Sequence, residues 1–193
     1  MSFDKETLEA AVASVVPPAE QGGHLLVLDN GAYCKRLGRL ARLMGRRTTI
    51  LGHAADEPVS ADALDTALRA DPGISHVGFI HCETGTGVRN PLQAVSDVCL
   101  RHGRGLIVDA MGSFAALPID TRALTFDALV AARGMCLEGV PGLGLRVHPP
   151  RGAGRLRRPL ALVRDELVRP AHLPEKDRPV ALHATHACDG GLA

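Results

Sequence analysis

The chain has 193 residues, room for one domain with a real core. Its 22 Lys and Arg against 21 Asp and Glu leave a net charge of +1, so composition makes no electrostatic case for nucleic acid or an acidic membrane surface. Hydrophobic residues at 46% fit a globular chain rather than a disordered one, although aromatics at 3% with no Trp are lean for a complete enzyme core. Either a GC-rich genome favours Ala, Gly, Arg and Val, or part of an aromatic-bearing domain is missing.

In chain order, residues 4–16 predict a helix with Leu8, Ala11, Val12 and Val15 on one stripe, stopped by Pro17-Pro18. No basic and then apolar leader precedes it, and no window approaches the roughly 20 apolar residues of a membrane span. His24–Leu28 is a short apolar run ending at Asp29-Asn30-Gly31, the pattern of a buried parallel strand and its exit turn. Tyr33–Met44 places Leu37, Leu40 and Leu43 at helical spacing, with Gly45 as the stop. Thr48–Leu51 is a second strand, and Ser60 caps a helix that Asp71-Pro72-Gly73 closes. His76–His81 is a third strand, followed by a loop over 82–87. Asn90-Pro91 then caps a helix to about His102.

Strands at Leu106–Val108, Leu129–Ala132 and Leu143–Val147 complete the series. Alternating strands and helices predict an α/β fold, a three-layer, mostly parallel sheet covered on both faces. The five cysteines have neither CxxC nor finger spacing, so no metal site or disulfide framework is indicated, and dispersed thiols suit a cytoplasmic chain.

The chemistry concentrates in residues 105–144. Leu106-Ile107-Val108 ends in Asp109, and an acid at the carboxyl end of a buried strand sits where α/β proteins bind ligands. A strand-end Asp also serves simply as a cap or turn former. The segments VDAMGSF, FDALV and CLEGVPGLG resemble the 2-aminoethylphosphonate–pyruvate transaminases, a branch of the class V aminotransferases that use pyridoxal 5′-phosphate (PLP). The resemblance runs from about Glu9 to Val147. It implies that 1–147 is a partial PLP-transferase large domain.

The resemblance also assigns roles. Asp109 matches the acid that bonds the PLP ring nitrogen and keeps it protonated. Tyr33, the chain's only tyrosine, matches the aromatic laid against the ring, and reads equally as an ordinary aromatic. Thr84 matches the hydroxyl offered to the ring oxygen, and reads equally as a loop threonine that caps its own turn. The Schiff-base lysine maps to Met135, and no lysine lies between Lys35 and Lys176. The 26-residue interval from Asp109 to Met135 matches the family's acid-to-lysine spacing, so the lysine is substituted rather than displaced. A thioether forms no imine, and the base for the proton shift goes with the amine.

Three more expectations follow. His81 and Glu83 are too few for a metal site and read as loop scaffold. The glycines around Pro141 fit no phosphate-loop spacing and read as turns. The family's phosphate cradle falls at Ser2-Phe3-Asp4-Lys5, where Asp4 puts the wrong charge, and the family's N-terminal segment has no counterpart.

Residues 148–193 are rich in Arg, Pro and His and read as an irregular tail. Back-translated with GC-rich codons and shifted by one base, Lys176–Cys188 can yield KTGQWRFTPPTHV, similar to the family's C-terminal-domain motif. That suggests a frameshift near residues 148–160, which leaves His183 and His186 without design. The whole implies an inactive relative of an enzyme that moves an amino group from 2-aminoethylphosphonate to pyruvate. The alternative is a non-catalytic remnant, or a module that binds PLP or a protein. A small-molecule amine and a 2-oxo acid are the implied partners, together with a second copy in a homodimer.

Overall fold

A computed structural model describes residues 3–139 and 144–147, with side chains from residue 7 onward. The elements run α1 (Phe3–Val15), β1 (His24–Asp29), α2 (Ala32–Leu43), β2 (Arg47–Gly52), α3 (Ala61–Ala70), β3 (His76–Ile80), β4 (Cys82–Glu83), β5 (Val88–Arg89), α4 (Leu92–Arg101), β6 (Gly105–Asp109), β7 (Ala128–Ala132) and β8 (Gly144–Val147). Six strands form one sheet in the order β2-β1-β3-β6-β7-β8, all parallel except β8, which runs antiparallel to β7. The expected mostly parallel α/β sheet is therefore present.

Burial explains the strands. β1, β6 and β7 are buried at every position, so they read as continuous apolar runs instead of alternating ones. Alternate residues still face opposite layers. Leu25, Val27, Ile107 and Val130 pack with Leu8, Val12, Leu37 and Leu40 of α1 and α2. Leu26, Leu28, Val108 and Leu129 pack with Leu64, Leu68, Val95 and Val98 of α3 and α4. Each fully buried branched side chain contributes about 1.5–3 kcal/mol relative to exposure, so these two cores hold the sheet.

Helix boundaries follow local chemistry. Ser60 Oγ accepts from the Ala63 N–H at 3.1 Å and caps α3 as expected. Gly45, at φ 71°, takes the left-handed conformation that ends α2.

Some expectations need correction. Leu43 is 74% exposed, and the buried stripe of α2 is Cys34, Leu37, Gly38, Leu40 and Ala41. Leu43 is the last residue of the helix and lies past the edge of the packed layer. Residues 82–89 form a small antiparallel hairpin, β4–β5, where a plain loop was expected. Asn90 does not cap α4, because its side chain is used elsewhere. Pro141, the tail 148–193 with its His183 and His186, and Ser2 of the phosphate-cradle position lie outside the described residues, as do the side chains of Asp4 and Lys5.

Candidate active site

The strand order reverses beside β1: the chain crosses from β1 to β2 on one side, then returns to β3 on the other. In open α/β sheets, ligands bind outside the carboxyl ends of the strands near such a reversal. The segments leaving β1, β3, β6 and β7 all emerge along that edge, and they carry Tyr33, Thr84, Asp109 and Met135.

Asp109, the last residue of β6, is 6% exposed. Alternation along β6 turns it to the same face as Ile107, the α1–α2 side. Its Oδ1 accepts from the Met111 N–H at 2.9 Å, which fixes the carboxylate at the start of the loop. Thr84 is exposed at the tip of the β4–β5 hairpin and leans over this loop; a Cβ built on Gly112 would lie 2.7 Å from Thr84 Cγ2. Gly112 thus permits a close approach that any other residue would block. Cys136 Sγ sits 3.6 Å from the Gly112 carbonyl, which brings the turn after β7 to the same place. Met135, its neighbour, is 44% exposed.

Tyr33 is tied in through its backbone. Glu83, fully buried, accepts from the N–H groups of Tyr33 at 3.1 Å and Cys34 at 3.2 Å. A carboxylate at that place satisfies orphan donors at the helix start and opposes the positive end of the α2 dipole. A Cβ on Gly31 would overlap the Glu83 side chain, so glycine there makes room for the cap. The Tyr33 side chain itself is 43% exposed. Cys34 Sγ lies 3.4 Å from the same carboxylate, and its thiol is pushed up to about 12, chiefly by burial. It stays protonated and inert.

Sequence reasoning missed a second polar cluster behind the edge. Asn90 donates to the Ile80 carbonyl at 2.8 Å and accepts from the Val59 N–H at 3.0 Å. It also accepts from the Asn30 side chain at 2.9 Å. These bonds clamp the exit of β3 to that of β1. The partners lie 10 to 60 residues away, so no local signal announces them. His81, 5% exposed, has Nδ1 2.9 Å from Ser113 Oγ and is held below the ordinary histidine value, first by burial and then by Arg89. His81 therefore helps hold the loop that carries Ser113, while Glu83 caps the start of α2, where a loop acid was expected. Ala115 at φ 71° and Glu138 at φ 51° are non-glycine residues in the left-handed region. Both lie in loops of this edge, the region where backbone strain of about 1–3 kcal/mol commonly collects.

The fit to PLP is split. The buried, turn-anchored Asp109 suits a protonated ring nitrogen, and Thr84 leans over Gly112 in the loop that follows it. No amine stands opposite: Lys35, exposed on α2, is the only lysine between residues 7 and 147, and the turn after β7 presents a thioether. Among the described residues no group of three or more His, Cys, Asp or Glu could hold a metal ion, and no helix is long and apolar enough to cross a membrane.

The Aminotransferase class-V family model matches residues 5–150. A 2-aminoethylphosphonate–pyruvate transaminase of Polaromonas sp. is 66% identical over 72% of this chain and 36% of its own length. One from Cupriavidus taiwanensis is 53% identical over the same shares. Among solved structures, pyridoxamine–pyruvate aminotransferase from Mesorhizobium loti superposes with a TM-score of 0.69 at 30% identity, covering 74% of this chain and 36% of that one. Alanine–glyoxylate aminotransferase from Nostoc sp. gives 0.70 at 27%, covering 84% and 41%. The chain spans about a third of the length of the curated relatives it matches.

Proposed function

We propose, from the premise that the chain belongs to the class V aminotransferases, that it carries the large-domain scaffold of a 2-aminoethylphosphonate–pyruvate transaminase but does not itself transfer amino groups. One observation carries the reading: Met135 occupies the turn beyond β7, at the spacing from Asp109 where the resemblance expects lysine. When bound, PLP would supply an electron-withdrawing ring to stabilise charge at a substrate's α-carbon. This chain's residues contribute only part of what that requires. Asp109 would bond the ring nitrogen, Thr84 would donate to a ring oxygen, and Tyr33 would cover one face. A thioether neither condenses with an aldehyde nor carries a proton between atoms, so among the described residues the turn beyond β7 offers neither a covalent hold on the cofactor nor its base.

The intact Asp109 turn favours one specific form of this reading, a module that holds PLP without covalent attachment. Residues 1–147 would make up the large domain, with 148–193 as the out-of-frame tail. The amine and 2-oxo acid substrates, the homodimer and the cytoplasmic setting belong to the same proposal.

Incubation of the full chain with PLP, borohydride reduction and peptide mass spectrometry test it. The expected result is no phosphopyridoxyl adduct in the peptide containing residues 133–139, with PLP removed by dialysis. Alanine formed from pyruvate and 2-aminoethylphosphonate by the PLP-supplied full chain would overturn the proposal.

A further inference from the structure

The fold sorts the cysteines it describes into two classes. Cys34 and Cys99 are fully buried, and burial above all pushes each thiol up to about 12. Such thiols stay protonated and inert. Cys82 and Cys136 are half-buried instead, and neither has a part in holding the strand exits or the cofactor position.

The two half-buried cysteines converge on one residue from different parts of the chain. Cys82 opens β4, and its Cβ would lie 3.8 Å from a Cβ built on Gly112. Thr84 Cγ2 would lie 2.7 Å from the same point, so one side of the hairpin faces Gly112. Cys136, in the turn after β7, has its Sγ 3.6 Å from the Gly112 carbonyl oxygen. Glycine places no side chain between the two cysteines. The turn that carries Cys136 closes on itself, with the Gly139 N–H donating to the Arg133 carbonyl at 2.8 Å and the Glu138 N–H to the Met135 carbonyl at 3.0 Å. It can therefore swing as one piece over Gly112. A disulfide needs Cβ atoms about 3.5–4.5 Å apart, and that swing is the movement that closes the gap.

We propose that Cys82 and Cys136 form a reversible disulfide that ties the β4–β5 hairpin to the turn beyond β7. One thiol loses its proton to solvent, and the thiolate attacks a sulfur of a small-molecule disulfide such as oxidised glutathione. A bond forms between the protein and glutathione sulfurs, the bond between the two glutathiones breaks, and the first glutathione leaves as a thiolate that takes up a proton. The second cysteine, likewise deprotonated, attacks the protein sulfur of this mixed disulfide and displaces the second glutathione. Two protein thiols are oxidised and one disulfide is reduced to two thiols, so electrons and protons balance. The link joins the exits of β3 and β7 across the segment that follows Asp109. It forms whether or not PLP binds there.

The test incubates the folded full chain with oxidised glutathione, blocks the remaining thiols with N-ethylmaleimide in urea, digests without reduction and maps the peptides by mass spectrometry. The expected product is the Cys82 peptide joined to the Cys136 peptide, with Cys34 and Cys99 carrying the maleimide. Oxidation in concentrated urea should scatter the pairing among all the cysteines. The oxidised chain should unfold at a urea midpoint about 1–2 M above the reduced chain, because the link constrains the unfolded state, and dithiothreitol should reverse the rise. Cys82→Ser and Cys136→Ser should each stop at one glutathione on the remaining thiol, with no rise. Both positions are half-buried, so the variants should keep the reduced parent's midpoint. Glutathione retained on both thiols without a link, a main product joined to Cys188, or no rise in midpoint on oxidation would each overturn the proposal.

Discussion

Replacing Glu83 tests the claim that one buried carboxylate builds the candidate site. It accepts from the Tyr33 and Cys34 N–H groups and, through Oε1, from Gly85 at 3.4 Å. In Glu83→Ala the Tyr33 and Cys34 N–H groups at the start of α2 lose their acceptor, and losing a helix cap costs about 0.5–2 kcal/mol. The two buried amides left behind add about 1–3 kcal/mol for each that water does not reach. About 3 kcal/mol in total is the expectation. With a urea m-value of about 2 kcal/mol/M, the unfolding midpoint should fall by about 1.5 M. Glu83→Gln keeps the shape and one acceptor oxygen, losing mainly the charge opposite the dipole, so about 1 kcal/mol is expected. Hydrogen exchange should speed up at Tyr33 and Cys34 in the Ala variant before it does elsewhere in α2. If both variants unfold within about 0.5 kcal/mol of the parent, Glu83 is not the cap and the reasoning fails.

Asn90→Ala removes the clamp between the exits of β1 and β3 and should cost about 2–4 kcal/mol by urea titration, because several buried partners lose their mates together. Met135→Lys should leave stability within about 0.5 kcal/mol, since the position is 44% exposed. It should accept a reducible PLP adduct yet produce no measurable alanine from pyruvate. Alanine from that single variant would show that the amine alone was lacking. Stability should fall as pH drops below about 6.5, because His24 and His81 are held below that value when folded and the unfolded chain takes up more protons. Thermal melts of parent and His81→Asn between about pH 7 and about pH 5 should show a shallower slope in the variant; identical slopes would remove His81 from the account.

Much of this architecture is legible along the chain because the determining interactions are local or periodic. The runs His24–Leu28 and Leu106–Val108 announce buried parallel strands, and Ser60 announces its own helix start. Asp109 is legible for the same reason, since an acid closing an apolar run marks the strand's end. The failures share a different cause. Asn90 before Pro91 reads locally as a cap, but Ile80, Val59 and Asn30 outbid the helix for its side chain. Glu83 reads as a loop acid, and its use as the cap of α2 rests on partners 49 and 50 residues earlier. Leu43 fits the helical period but lies past the edge of the packed layer, where solvent begins.

The claim on which the account turns is that a fold of this kind without an ε-amine beyond β7 is a scaffold only. The direct measurement is alanine formed from pyruvate by the purified full chain, supplied with PLP and 2-aminoethylphosphonate, against a blank without protein. The account predicts no alanine above the blank over many hours. Sustained turnover that scales with protein concentration, and disappears in Asp109→Ala, would contradict it.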